Sequence, residues 1–166
     1  MVNGGAPWNN TLTITKSKIT KKYKKNALIP FMRELYVYLL AKQKKLNYIP
    51  KLLNYDIEKK ILVIENVGIS IYDLCKKTKC NKDDFLPGIK EIYHKLIDLG
   101  IYHNDIHDEN FLYKNNKIFL VDFGRATENK EAFPFLNVSS SCLDDCDSFF
   151  HVFLHAEKNF KKIHRV

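Results

Sequence analysis

The sequence predicts an α+β fold of two unequal lobes. In its first part, threonines alternate with the aliphatic residues Leu12 and Ile14 from Thr11 to Thr15, a pattern rich in β-branched residues, and one long helical pattern follows Pro30. Beyond a turn-prone break at Gly68, helical patterns dominate and a single hairpin signature remains. We therefore expect one domain over the whole chain, with a small lobe over about residues 1–65 and a large lobe over about 69–166.

Four segments follow the first strand in the predicted small lobe. Lys18 to Tyr23 has the alternation of a second strand, and it is rich in lysine. Phe31 to Lys42 is expected to be a helix, because a proline is well tolerated in a first turn. Tyr48 to Tyr55 is interpreted as a short connector, and the apolar run from Ile61 to Ile64 as a buried strand.

The large lobe begins with a short helix, predicted from Ser70 to Lys77. Asp83 is a candidate cap for the next helix, whose apolar residues recur at helical spacing until Gly100. The period then changes to two, and the asparagines in the middle of 111–121 favour a β-hairpin turn. A last apolar run, Phe149 to Leu154, predicts a further buried helix.

Composition excludes several classes of protein. The chain is 45% hydrophobic and 13% aromatic, which is typical of a globular domain and not of a disordered one. No run approaches the ~20 apolar residues of a membrane span, and the first residues lack a signal-peptide pattern, so a cytoplasmic location is expected. The net charge of +8 is compatible with nucleic-acid binding, but we favour a solvated basic face because no nucleic-acid-binding motif accompanies it.

The four cysteines fit a reducing compartment as free thiols. They are Cys75, Cys80, Cys142 and Cys146. Their C-x4-C and C-x3-C spacings leave a zinc site open as an alternative, although neither is the C-x-x-C of common zinc knuckles.

Two short segments carry the residues expected to perform chemistry. The loop from His103 to Asn110 precedes the hairpin, and Asp122 opens the triplet Asp-Phe-Gly at its end. Asp105, Asn110 and Asp122 supply two carboxylates and one amide oxygen, which are the hard ligands that Mg²⁺ prefers. Phosphoryl transfer needs metal ions, a carboxylate for the attacking hydroxyl and a cation on the phosphates. The two segments therefore point to an ATP-dependent phosphotransferase.

Other interpretations of these segments remain open. Asp-Phe-Gly can be a simple turn, with His103 and His107 as core or surface residues. A zinc site on the two histidines is a further alternative, but that spacing requires a helix and the intervening Asn104 and Asp105 favour a loop.

The motifs resemble those of the protein-kinase-like superfamily, H-x-D-[LI]-x-x-x-N followed at family spacing by D-F-G. The resemblance implies a bilobal fold with a truncated small lobe and a minimal large lobe, and ATP and Mg²⁺ as cofactors. It also implies that Asp105 is the catalytic base, that Asn110 and Asp122 hold Mg²⁺, and that His103 braces the loop. The residues that flank the motifs resemble those of the casein-kinase branch. The short segment after Asp122 is similar to that of the small KEOPS and RIO kinases.

The same resemblance implies a nucleotide site in the small lobe. Lys21 resembles the lysine that contacts the phosphates, and Glu34 on the next helix is its natural partner. Lys22 is the alternative, although strand alternation places it on the opposite face. Glu65 and Val67 resemble the hinge residues whose backbone groups receive adenine.

The comparison with the family also concerns two further acidic residues. Asp73 either reaches the ribose or is an ordinary helix residue. Asp145 resembles the aspartate that anchors the catalytic loop.

The sequence departs from the family pattern at several positions, and some of them bear on which molecule accepts the phosphate. His107 stands where serine/threonine kinases usually carry lysine, and it resembles the antibiotic, choline and lipopolysaccharide kinases; it is a candidate contact of the γ-phosphate. Asn104 replaces arginine, which argues against activation through a phosphorylated loop. The glycine-rich loop is reduced to Gly4 and Gly5, and no Ala-Pro-Glu follows Asp122.

These features lead to a serine/threonine-type protein kinase as the expected function. A kinase of small molecules of the aminoglycoside, choline or lipopolysaccharide type is the first alternative, because of His107. An inactive ATP-binding pseudokinase scaffold is the second, because of the poor glycine loop. A partner protein that covers the truncated lobes is also expected.

Overall fold

The computed structural model describes residues 9–127, which form seven strands and three α-helices. The predicted α+β class is confirmed. In chain order the elements are β1 (Asn9–Ile14), β2 (Lys18–Tyr23), α1 (Leu28–Lys44), β3 (Leu52–Asp56), β4 (Ile61–Glu65), β5 (Ile69–Ser70), α2 (Ile71–Thr78), α3 (Leu86–Asp98), β6 (Phe111–Lys114) and β7 (Lys117–Leu120).

A four-stranded antiparallel sheet of order β1-β2-β4-β3 builds the small lobe. Alternation along β2 buries Ile19, Lys21 and Tyr23 on one face and leaves Lys22 exposed on the other. The α1 helix turns its buried residues, among them the fully buried Phe31, toward the core. Lys21 is therefore forced inward by the period of the strand.

The large lobe combines α2 and α3 with a three-stranded sheet of order β5-β6-β7. Asn115 and Asn116 connect β6 to β7, and both have left-handed backbone angles, with φ of 51° and 59°. Two such residues in a two-residue loop match the twist of a hairpin, so the predicted hairpin and its asparagine turn are confirmed. Among residues 9–127 no helix is long and apolar enough to cross a membrane.

Three details differ from the sequence-based expectations. The connector predicted over 48–55 contains the edge strand β3, and β5 was not predicted. Asp83 does not cap a helix; Asn81 caps a 3₁₀ turn over Lys82–Phe85, and α3 starts only at Leu86. The Asn81 side chain accepts a hydrogen bond from the amide of Asp83, two residues on, and Asn caps as readily as Asp does.

The prediction of free thiols is wrong for one pair, because Cys75 and Cys80 form a disulfide. The α2 helix ends at Thr78, and the left-handed Lys79 turns the chain back, which brings the two Cα atoms to 4.6 Å. Several predictions fall outside the described residues. They concern Gly4, Gly5, Cys142, Asp145, Cys146 and the helix Phe149–Leu154.

Gly68 joins the two lobes at a place where the backbone leaves no room for a side chain. Its φ is +108°, and a Cβ there would lie 2.1 Å from the carbonyl oxygen of Tyr113. We expect Gly68→Ala to lower the free energy of unfolding by about 1–3 kcal/mol, because backbone strain and a clash with main chain act together. Denaturant unfolding measures the change.

Gly88 on α3 provides the control for that substitution. A Cβ at Gly88 would approach the end of the flexible Ile118 side chain, 2.8 Å away, and no positive φ is involved. Helix propensity favours alanine by up to ~1 kcal/mol, so Gly88→Ala should be near neutral. Equal stability of the two variants would contradict the close approach at Gly68.

Candidate active site

A buried ion pair joins β2 to α1 in the small lobe. Lys21 Nζ is 2.7 Å from Glu34 Oε1, and Glu34 is completely buried on α1. The same ammonium is 3.7 Å from Asp122 Oδ1, which belongs to the other lobe. The predicted Lys21–Glu34 pair is thus present, and the alternative residue Lys22 is exposed on the opposite face.

The charge of Lys21 is held by its neighbours. Burial alone would lower its pKa, but the carboxylates of Asp122 and Glu34 outweigh burial and raise the pKa. The hydroxyl of Tyr23 donates to the second oxygen of Glu34, and burial beside that carboxylate raises the pKa of Tyr23 strongly. Tyr23 therefore stays a neutral donor and Lys21 a cation. Sequence reasoning missed Tyr23, although its position two residues after Lys21 on β2 places it on the same face.

Asp105 lies in the loop between α3 and β6, among three positive or titratable side chains. Its carboxylate is 3.6 Å from Arg125 Nη1 and 3.8 Å from His107 Nε2. Burial alone would raise the pKa of Asp105, but His107, Arg125 and His103 outweigh burial and lower it. Burial likewise would lower the pKa of His107, and the nearby carboxylates, Asp105 first, raise it instead. Asp105 is consequently ionised, and its side chain is 25% exposed.

The amide of Asn110 is oriented by the loop that precedes it. Its Nδ2 donates to the backbone oxygen of Asp105 at 2.9 Å and lies 2.8 Å from His107 Nε2. Since the amide nitrogen is used in this way, the carbonyl oxygen Oδ1 is the atom left to bind a ligand.

Asp122 offers the complementary oxygen. Its Oδ1 is buried and has no hydrogen-bond partner within residues 9–127. Among those residues no three His, Cys, Asp or Glu side chains cluster as a metal site of their own. A magnesium ion bound with a nucleotide commonly takes only one or two protein carboxylates and completes its shell with phosphate and water. The donor set of Asp122 and Asn110 fits that chemistry.

Two residues that follow α3 fasten the loop to the Asp-Phe-Gly segment. His103 is fully buried, and its Nε2 donates to the backbone oxygen of Val121 at 2.8 Å, while its ring packs edge-on against Phe123 at 5.0 Å. Burial lowers the pKa of His103, so the ring is neutral and can donate from only one nitrogen. This is the bracing contact that the resemblance implied for His103.

Asn104 forms a second clamp, which sequence reasoning did not find. Its φ is 61°, and its Nδ2 donates to the backbone oxygen of Arg125 at 3.0 Å and to Thr127 Oγ1 at 3.0 Å. Asparagine is among the few residues that tolerate this left-handed conformation, and that preference was the available signal. Asp122 also adopts a left-handed φ of 64°, directly before a 3₁₀ turn over Phe123–Arg125.

The connection between the lobes carries the predicted adenine contacts. Glu65 ends β4, and Val67 follows two residues later, 1% exposed. Asn66 holds this segment through its Nδ2, which donates to the backbone oxygen of Thr15 at 2.7 Å, and its Oδ1 accepts from the Gly68 amide. Asp73 stands in the first turn of α2, exposed, and accepts a hydrogen bond from the cap residue Ser70.

Asp108 anchors the loop through an ion pair with Lys82. Sequence reasoning missed this role of Asp108. Its Oδ2 is 2.6 Å from Lys82 Nζ, and its side chain is 11% exposed. The Lys82 ammonium also lies over the ring of Tyr72, 5.3 Å from the centroid. Asp108 opens the 3₁₀ turn that ends at Asn110, so this ion pair fixes the turn that carries the candidate metal ligand.

We expect Lys82→Met to lower the free energy of unfolding by about 1–3 kcal/mol, because Asp108 would keep a largely buried charge without this partner. Unfolding measured for Lys82→Met, Asp108→Asn and the double variant gives the coupling energy of the pair. Lys77→Met, an exposed lysine on α2, is the matched control. Additive effects of the two substitutions would contradict the anchoring role.

Comparisons with known proteins bear on the family and the fold of the chain. The family model of the ABC1 atypical kinase-like domain matches residues 35–140, more than half of the chain, and includes both motifs. No curated protein sequence shows significant similarity. Among solved structures, the PK-1 kinase of Cydia pomonella granulovirus superposes with a TM-score of 0.56 at 21% identity, over 66% of this chain.

That structural likeness shows the fold, and the chain spans only 43% of the length of the viral kinase. The predicted kinase-like fold is confirmed by it. The predicted membership of the protein-kinase-like superfamily is confirmed by the family match. The chain belongs to the ABC1 atypical kinase-like family.

Proposed function

We propose that the protein is an ATP- and Mg²⁺-dependent phosphotransferase. The observation that carries the proposal is the position of Lys21, 2.7 Å from Glu34 and 3.7 Å from Asp122. A buried cation held between two carboxylates of different lobes is the arrangement that a nucleotide phosphate tail requires, because one group donates to phosphate and another holds its metal.

The metal would be held by Asp122 and by Oδ1 of Asn110. Bound Mg²⁺ neutralises the charge that develops on the transferred phosphoryl group. Lys21 donates to phosphate oxygens from the other side, and the Lys21–Glu34 pair keeps its ammonium in one position. Asp122 Oδ1 supports this division of roles, because it accepts no hydrogen bond within residues 9–127 and lies 3.7 Å from the Lys21 ammonium, which leaves it able to bind a metal ion.

Adenine would bind at the connection between the lobes. The amide of Val67 makes no hydrogen bond within the described part of the chain, whereas the amides of Glu65 and Asn66 are used, by Lys51 and Ser17. Val67 thus offers the donor that the edge of an adenine ring accepts, and the carbonyl oxygen of Glu65 is the matching acceptor.

Asp105 would act on the acceptor hydroxyl. The acceptor oxygen forms a bond to the γ-phosphorus, the bond from that phosphorus to the bridging oxygen breaks, and the hydroxyl proton passes to Asp105. The lowered pKa of Asp105 makes its carboxylate a weak base. Such a group is suited to orient the hydroxyl and to receive the proton late in the reaction. His107 lies beside this carboxylate and adds positive charge near the reacting groups when it is protonated.

The acceptor that we favour is a serine or threonine hydroxyl of a protein. A small-molecule hydroxyl is the second candidate, and the observation in its favour is His107, which sits next to the base where protein kinases carry lysine. An inactive scaffold is less favoured, because a chain without catalysis has no chemical need to hold Lys21, Asp105 and Asp122 together.

Incubation with Mg²⁺ and γ-labelled ATP tests the proposal. The wild-type chain, Asp105→Ala and Asp122→Ala are compared with a protein acceptor, with small-molecule alcohols and with neither. Transfer by the wild type that both substitutions abolish is the expected result. Transfer that survives both would refute the site, and binding of ATP without any turnover would favour the scaffold.

A further inference from the structure

The α1 helix is apolar on both of its faces. Its inner face packs in the core, with Phe31 and Tyr38 completely buried. Its outer face nevertheless carries large apolar side chains that stay substantially exposed. They are Leu28 at 49%, Ile29 at 64%, Met32 at 43%, Tyr36 at 43% and Leu39 at 40%. A surface helix normally turns charged and polar residues outward, so an apolar outer face indicates that something covers it.

The spacing of these residues indicates the shape of the partner that fits the outer face of α1. Ile29, Met32, Tyr36 and Leu39, here termed the outer seam, are separated by three, four and three residues. This is the a/d repeat of a coiled-coil seam, which brings side chains of one helix into line to receive the side chains of another. The seam is one residue wide, so it suits a helix better than a flat surface.

The charged residues around α1 indicate the charge of the partner. Lys24 and Lys25 precede the helix, and Lys42, Lys44 and Lys45 end it, whereas its one acidic residue, Glu34, is buried on the inner face. The outer seam therefore lies between two basic clusters with no exposed carboxylate along α1. A complementary partner carries acidic residues on both sides of its own apolar stripe.

We propose that the outer seam of α1 is a docking site for an acidic amphipathic helix of a partner protein. A second copy of this chain is disfavoured, because pairing two α1 helices in either direction brings lysine clusters against each other. An anionic membrane is disfavoured by the narrow seam, since interfacial helices insert a wide apolar face. The proposal does not depend on the proposed phosphotransferase activity.

The probe is a synthetic peptide about four heptads long, with Ile and Leu at its a and d positions and Glu at e and g. Glutamates at those positions keep the peptide from pairing with itself. A second peptide with Lys in place of Glu is the charge control. Binding to the full chain is measured by fluorescence anisotropy for the wild type, Ile29→Asp, Met32→Asp and the control Ile57→Asp. Ile57 is an apolar residue outside the helix, 51% exposed.

We expect the acidic peptide to bind the wild type and Ile57→Asp alike, and to bind Ile29→Asp and Met32→Asp about tenfold or more weakly. The basic peptide should bind the wild type about tenfold or more weakly than the acidic one. Unfolding transitions identical to that of the wild type show that the variants fold. Absence of binding by the acidic peptide, equal binding of both peptides, or equal binding by all variants would overturn the proposal.

Two further measurements separate the rival occupants. Co-sedimentation with phosphatidylserine vesicles that is lost in Met32→Asp would assign the seam to a membrane and overturn the proposal. A dimer in analytical ultracentrifugation that is lost in Met32→Asp would assign it to a second copy, with the same consequence. A monomeric protein that does not sediment with vesicles but binds the acidic peptide supports the proposal.

Discussion

Replacement of Asp105 by asparagine is expected to slow phosphoryl transfer by about 10²–10⁴-fold and to leave ATP affinity nearly unchanged. Asparagine has the shape of aspartate but cannot accept the proton of the acceptor hydroxyl. The phosphates are assigned to Lys21 and not to Asp105, so binding should be spared. Transfer of labelled phosphate gives the rate, and titration with a fluorescent ATP analogue gives the affinity.

The environment of Asp105 gives this substitution a second consequence. Arg125 lies 3.6 Å from the carboxylate, and His107 lies 3.8 Å from it. Because Asp105 is the first of the carboxylates that raise the pKa of His107, removal of its charge lowers that pKa toward the ordinary value. A nuclear magnetic resonance titration of His107 should therefore show a lower pKa in Asp105→Asn than in the wild type.

Asp56→Asn is the matched control for both measurements. Asp56 ends β3, carries an ion pair with Lys59 at 3.3 Å, and lies on the sheet of the small lobe. Its replacement should change neither the transfer rate nor the titration of His107. A wild-type rate in Asp105→Asn, or a loss of ATP binding in that variant, would show that Asp105 is not the base.

Strand alternation made the inward position of Lys21 predictable. In β2 the residues Ile19, Lys21 and Tyr23 share a face, and the apolar character of Ile19 marks that face as the core side. A lysine on the core side of a strand needs a carboxylate, and Glu34 is the one acidic residue of the following helix. Period and charge pairing therefore agree with the assignment of Lys21 and Glu34 that the family resemblance implied, and alternation favours Lys21 over Lys22.

Contacts between distant segments were not predictable in the same way. Lys82 and Asp108 are 26 residues apart, and each also has an ordinary interpretation as a solvated charge in a polar loop. Only the packing of the 3₁₀ turn at Lys82 against the loop from His103 to Asn110 makes them partners. Asn104 was noted as a departure from the family pattern, but the clamp that it forms depends on where Arg125 and Thr127 lie.

The edge strands β3 and β5 were missed for a related reason. Three of the five residues of β3 are exposed, so the strand has almost no alternation from which a period can be read. Its pairing with the buried β4 supplies its stability. β5 has only two residues, and its existence depends on β6, more than forty positions later in the chain.

Lys21→Met is expected to have the largest effect on stability, a loss of about 3–5 kcal/mol in the free energy of unfolding. Methionine fills a similar volume but leaves Glu34 completely buried, with Tyr23 as a hydrogen-bond donor and no cation. The same variant should lose phosphoryl transfer, because the phosphates lose their protein cation. Denaturant unfolding and labelled transfer measure the two effects separately.

A double variant separates stability from chemistry. Lys21→Met combined with Glu34→Gln removes both charges, and the glutamine oxygen still accepts from Tyr23, so most of the lost stability should return. Transfer should not return, since neither methionine nor glutamine replaces the cation. Lys22→Met, one residue along on the exposed face, should stay within about 0.5 kcal/mol of the wild type and remain active. Transfer that recovers in the double variant, or that is lost in Lys22→Met, would remove Lys21 from the phosphate site.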